Sequence, residues 1–248
     1  MLPAKRFSFF FLCVFGAATL LLLLFTPSDD GRNIALRFTA SAEGEPLRLN
    51  EHRYRNPGGE GVYSIRDLQL YVSNIVLEGA GETYRVEDSY HLVRFDNESG
   101  ASVVYLRGVP LQQIDRLEFG IGVDKAANAS IEPRGDLDPN SRMAWSWDVG
   151  YKFVLVEGQL VLGNKSLPLV YHIGFDENYR TLDFRRERKD MPRQLNFEIV
   201  VDRLFDGESL IDMSAMSNVK FHKEDAATIA RNFNDLIRYC DSQPCFEQ

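Results

Sequence analysis

From Ile34 onward apolar and polar side chains alternate, and this period of two recurs in roughly ten short runs. Ile34, Leu36 and Phe38 mark the first; Leu68, Leu70 and Val72 open another that continues to Leu77. The others are Tyr90–Phe95, Val103–Leu106, Arg116–Val123, Tyr151–Val156, Gln159–Leu162, Leu167–Phe175, Arg180–Phe184 and Leu195–Val201. In an extended chain successive side chains point to opposite faces, so each run can bury one side and wet the other. The runs are rich in β-branched and aromatic residues and are bounded by Gly, Asn, Asp or Pro. The pattern predicts an all-β fold, a β-sandwich of about 8–10 strands.

Turn chemistry agrees. Asn56-Pro57-Gly58-Gly59, Gly79-Ala80-Gly81, Asn97-Glu98-Ser99-Gly100 and Gly163-Asn164 interrupt the runs where the chain must reverse. Asp124–Met143 has no clear period and reads as a long surface loop. Near the end the period changes. Ala226, Ile229, Ala230, Phe233, Leu236, Ile237 and Cys240 recur at three- and four-residue steps, which predicts one amphipathic helix over 223–240.

The N-terminus is of another kind. Lys5 and Arg6 precede the uncharged run Phe7–Phe25, the signature of an export signal. Its 19 residues suit a signal-anchor as well as a cleaved signal peptide. The organisation expected is therefore a signal peptide or inner-membrane anchor over 1–28 and one domain over 33–248. Lys5 and Arg6 are the sole charges in residues 1–26, so the remainder carries 36 acidic against 26 basic side chains, a net −10. Such a surface argues against nucleic-acid binding and against docking on anionic lipid. Cys240 and Cys245 are the two cysteines outside the apolar run, and their close spacing predicts a local disulfide in an oxidising compartment. An envelope location, periplasmic whether released or anchored in the inner membrane, follows as the expectation.

Few residues suggest chemistry. Of the four histidines, His52 sits in a charged run, and His91 shares a strand face with Val93 and Phe95. In Leu167–Phe175 the odd positions form the apolar face, so His172 points away from it, beside Val170 and Gly174. His222 follows Asp212-Met213-Ser214-Ala215-Met216, and imidazole and thioether both suit soft metals. Asp136 and Asp138 give a weak calcium signal. Both tryptophans fall in Met143-Ala144-Trp145-Ser146-Trp147-Asp148-Val149-Gly150-Tyr151. If that stretch is extended, Trp145, Trp147, Val149, Tyr151 and Phe153 share one face, as an aromatic core ladder would. No nucleotide loop, zinc-protease motif or nucleophile elbow occurs.

The Trp-x-Trp-x-x-Gly-Tyr stretch is the most diagnostic part of a wider resemblance. Ile65–Ile75, Tyr90–Asp96, Phe119–Asp124, Gly135–Pro139, Tyr171–Gly174 and Met213–Phe233 complete it, in order, over most of 33–240. In these the chain resembles the MbnP-like family of copper-associated periplasmic proteins. The resemblance implies a β-sandwich in which one tryptophan of the pair, Trp145 or Trp147, is oxidised to kynurenine by a partner di-haem enzyme of the MauG and cytochrome c peroxidase type. An indole has an N–H donor but no ligand lone pair, whereas the ring-opened aryl amine can coordinate. His172 and His222, with His91 third, would complete a copper site with that amine. Some copper-binding relatives place a histidine beside the modified tryptophan; here none lies between His91 and His172.

The expectation is a copper-binding envelope protein that is itself no enzyme. The alternative is a metal-free β-sandwich scaffold or recognition domain, its tryptophans simply core. A hydrolase using Asp136 and Asp138 ranks last.

Overall fold

The computed structural model describes residues 31–248 apart from 52–53, 131, 133, 147–148, 242–244 and 246–248. The expected signal or anchor segment, His52 and Trp147 lie outside the described residues. Among the described residues no helix is long and apolar enough to cross a membrane.

The strands, in chain order, are β1 (Arg32–Ala42), β2 (Glu45–Pro46), β3 (Tyr54–Arg55), β4 (Val62–Gly79) and β5 (Glu82–Arg85). Next come β6 (Tyr90–Arg94), β7 (Ala101–Val109), β8 (Arg116–Ile121), β9 (Ala144–Ser146) and β10 (Gly150–Leu162). The last are β11 (Lys165–Gly174), β12 (Arg180–Arg185), β13 (Gln194–Val200), β14 (Asn218–Val219) and β15 (Ile237–Cys240). They form an all-β sandwich. The smaller sheet has the order β15-β13-β1-β2 with β7 also on β1, and the larger is built around β12-β8-β4-β10-β11-β14.

Alternation makes this work. Ile34, Leu36 and Phe38 of β1 are fully buried, as are Leu68, Leu70 and Val72 of β4. Between the sheets Phe38 stacks on Phe197 of neighbouring β13 at 5.2 Å, and Phe119 of β8 meets both rings edge-on at 5.9 and 5.4 Å. Such ring pairs add about 1 kcal/mol each beyond area burial. β1 and β13 run parallel, pairing Phe38 with Phe197 and Leu36 with Leu195. The turn glycines act as expected at two hairpins. Ala80 and Gly81 both take positive φ between β4 and β5, and Gly163 does so between β10 and β11.

Two expectations need correcting. Asp124–Met143 is no bare surface loop: it carries helix α1 (Lys125–Asn128) and packs Ala127, Leu137 and Met143 onto the outer face of the large sheet. There they join Tyr71, Tyr90, Val123, Tyr151, Phe153 and Leu155 in a second apolar cluster. The segment covers side chains that alternation would otherwise leave wet.

The helix expected over 223–240 ends early. Helix α2 spans Lys223–Ala230, Arg231–Asp235 tightens into a 3₁₀ turn, and Ile237–Cys240 becomes β15 on the edge of β13. Ile229, Ala230, Phe233 and Leu236 are buried as the stripe requires, but the free edge of β13 offers the last residues a better backbone partner. Cys240 and Cys245 form the predicted disulfide, their Cα atoms 5.6 Å apart.

Candidate functional site

The tryptophan stretch is a hairpin rather than one extended run. β9 pairs antiparallel with the start of β10, Ser146 opposite Gly150 and Ala144 opposite Tyr151. Gly150 makes the reversal possible with φ +89°, and a β-carbon there would run into the Asn128 carboxamide. The single face expected for Trp145, Trp147, Val149, Tyr151 and Phe153 is therefore not formed. Cross-strand partners share a face, so Ala144 packs with Tyr151 on the second cluster and Trp145 turns the other way.

Turned so, Trp145 is only half-buried and lies between two aromatic rings. Phe175 stacks at 5.2 Å and Phe221 at 5.6 Å, both tilted. Gly174 lies against its six-membered ring, where a β-carbon would come within 2.7 Å of Cζ3. Phe175 is held at φ +71°, strained for a bulky residue, and such strain concentrates at functional sites. The Lys223 ammonium stands 5.1 Å from the centre of the Phe175 ring. A cleft of ≈ 400 Å³ opens beside them, lined by Asn128, Val149, Phe175, Asp176 and Lys223 among others. Phe221, by contrast, is 62% exposed. The Trp145 indole Nε1 is buried and has no hydrogen-bond partner among the described residues. A buried donor without a partner is uncommon and calls for an explanation.

His172 stands two residues before Gly174 on the same face of β11, one pleat from the tryptophan. Its Nε2 lies 2.9 Å from Glu157 Oε1 on β10. The other Glu157 oxygen accepts from Arg66 at 2.5 Å and from Arg142 at 3.0 Å. Arg142 also pairs with Asp67, which faces Glu157 directly across β4 and β10. A guanidinium is needed there, because carboxylates directly opposite each other repel. Arg66 reaches the same group through a bulge, since the register slips between Glu157 and Gly158. Burial by itself would raise the Glu157 carboxyl, but the hydrogen bond from His172 and the two guanidiniums hold it at about 2. Burial lowers the His172 pKa, overriding the opposite pull of Glu157, and the nearby Lys152 ammonium acts in the same sense as burial. The net effect favours the neutral ring, the form that ligates metals.

The other candidates divide. His222 directly follows Phe221 and is the exposed N-cap residue of α2, so the aromatic cover of Trp145 brings it to the same region. His91 does not join them. It pairs with Val72 and shares a face with Val93, both in the main core, whereas His172 pairs with Leu155 in the outer cluster. The two imidazoles lie on opposite faces of one sheet. His91 Nε2 is buried without a partner among the described residues, and burial lowers its pKa. Asp136 accepts from the Leu92 backbone N–H and Asp138 from that of Asn140, so both of these carboxylates serve the backbone. Glu198, Cys240 and Cys245 bring three donor atoms within 4.8 Å, but the disulfide occupies both sulfurs.

Sequence reading singled out Trp145, His172 and His222 and passed over Glu157, Phe175, Phe221 and Lys223, which the fold brings around them. Glu157 did leave a trace, as the one acid in the apolar run from Tyr151 to Leu162. The arrangement sets a half-buried indole, its Nε1 without a partner among the described residues, over the same face of β11 that carries His172.

A sequence model of the family described as MbnP matches residues 31–231. Among solved structures, MbnP from Methylosinus trichosporium superposes with a TM-score of 0.59 at 18% identity, over 86% of this chain and 99% of that one. The likeness is one of fold. No curated protein sequence matches the chain.

Proposed function

Because the chain belongs to the MbnP family over residues 31–231, we propose that it is an exported copper-binding protein whose Trp145 becomes kynurenine through a partner di-haem enzyme of the cytochrome c peroxidase type. In this reading the chain is no enzyme. It is the protein substrate of the oxidation and then the carrier of copper as cargo, in the periplasm, with residues 7–25 serving as signal or anchor.

The observation that carries the reading is the unpaired indole nitrogen of Trp145 on a half-buried ring. With peroxide as the oxidant of the haem enzyme, ring opening cleaves the C2–C3 bond of the pyrrole and adds one oxygen atom to each carbon, two peroxides being reduced to water, and hydrolysis then releases C2 as formate. Nε1 stays on the benzene ring as an aryl amine. An N–H with no partner thereby becomes a donor with a lone pair. In this reading His172 and His222 complete the set, and His91 is left out because it faces the opposite side of the sheet. Glu157, itself held by Arg66 and Arg142, orients His172, as an outer partner does for a metal-ligating histidine.

The test is co-production with the di-haem partner, followed by peptide mass spectrometry and metal analysis. Kynurenine at Trp145 with retained copper is the expected result, lost in Trp145→Phe and kept in Trp147→Phe. Both tryptophans intact, with no copper retained, would return the chain to the metal-free scaffold reading. The one observation favouring that alternative is that His172 already has a partner in Glu157.

A further inference from the structure

We infer that Glu157 is the positioning residue of this site: it fixes His172 with Nε2–H donating, which leaves Nδ1 as the nitrogen with the lone pair, and through Arg142 it ties that histidine to the segment carrying Trp145. The inference rests on the copper reading above for its purpose, though not for its geometry.

The tautomer follows from charge. Two guanidiniums, Arg66 at 2.5 Å and Arg142 at 3.0 Å, converge on Glu157 Oε2, and that environment keeps the group a carboxylate. A carboxylate only accepts, so at 2.9 Å from Glu157 Oε1 the His172 Nε2 must carry the hydrogen. With Nε2 carrying its hydrogen, the neutral form of the ring, the one able to ligate, has its lone pair on Nδ1. Glu157 and His172 are both largely buried, with side-chain exposures of 12% and 13%, so water competes poorly for this bond.

The placement follows from register. Glu157 stands opposite Val170, on the side of His172 remote from Gly174 and Trp145. The anchor therefore grips the ring from one side and leaves the tryptophan side to a ligand. Arg142 extends the grip, since its guanidinium bridges Glu157 and Asp67 just before Met143-Ala144-Trp145. Lys152 adds a second tie, its buried ammonium donating to the backbone carbonyls of Arg142 and Ala144. One carboxylate thus sets the relation between a strand of the large sheet and the hairpin laid over it.

Glu157→Gln keeps the shape and reverses the hydrogen-bond logic. Its carbonyl is claimed by the arginines, its amide nitrogen faces His172, and the imidazole must then accept at Nε2 and carry its hydrogen on Nδ1. The experiment is ¹⁵N-histidine NMR of the full chain, wild type and Glu157→Gln, with copper(I) affinity measured on both after co-production with the partner enzyme. The wild-type His172 signal should report Nε2–H, and the variant should move toward Nδ1–H with affinity about 10–100-fold weaker. A wild-type Nδ1–H signal, or a variant spectrum unchanged from wild type, overturns the inference. The wild-type spectrum decides the tautomer even if the variant fails to fold. If neither protein retains copper while the tautomer result holds, the copper reading falls and the positioning of His172 by Glu157 stands.

Discussion

The six-membered ring of Trp145 occupies the space in which a side chain on Gly174 would begin. A β-carbon there would lie 2.7 Å from Cζ3, 3.0 Å from Cη2 and 2.5 Å from the backbone oxygen of Tyr151. The ring can swing away, but the carbonyl belongs to a paired strand and cannot. Gly174→Ala should therefore cost about 2–3 kcal/mol, as overpacking does. It should also displace the indole, seen as a shifted tryptophan emission and loss of conversion by the partner enzyme. Unchanged stability and emission would show that the two are not in contact.

Phe221 covers Trp145 while remaining mostly exposed itself. Phe221→Ala should cost no more than about 1 kcal/mol, the worth of an aromatic contact at a surface. Acrylamide quenching of Trp145 emission, measured in a Trp147→Phe background, should rise. Equal quenching in both proteins would mean that Phe221 is not the cover.

His91 gives a pH signature. Its folded-state pKa lies below the ordinary value of about 6.5 because of burial, with Asp136 opposing only in part. The neutral form is the one the fold accepts. Its contribution is complete above pH 6.5 and is lost as pH falls through the lowered folded value. His91→Leu, which also removes a buried nitrogen without a partner among the described residues, should flatten the fall in Tm below about pH 6.5 and gain about 1 kcal/mol at neutral pH. Parallel Tm curves for the two proteins would contradict this.

The Cys240–Cys245 bridge closes a short ring at the end of β15. Replacing both by Ser should cost about 2 kcal/mol on the loop-entropy relation. Hydrogen exchange should rise first along Ile237–Cys240, since that edge strand has one neighbour, β13. Faster exchange spread evenly over the domain would place the bridge's role elsewhere.

Most of the sandwich was legible because its strands bury one face and wet the other, as Ile34, Leu36 and Phe38 show in their plainest form. What failed to show were choices settled by distant partners. Leu236 and Ile237 fit a helical stripe and a strand equally well, and only the open edge of β13 decides between them. The bend at Gly150 separates Trp145 from Tyr151, and it depends on Asn128 arriving from α1 to accept the Tyr151 N–H at 2.7 Å. His172 was correctly turned outward by alternation, and His91 inward. That they consequently cannot share a ligand becomes plain only when the register places Leu155 beside one and Val72 beside the other.

The parallel partnership of β1 with β13 bears on how the chain comes to be folded at all. Synthesis delivers Phe38 early and Phe197 late, and the ring stack that centres the interior has no substitute in between. Loop closure over such a span is slow, and the opening strand must wait with one edge bare. A product cut short before Gln194 would keep that edge and stick to its neighbours, so this architecture rewards whatever holds the nascent chain apart until its final quarter has emerged.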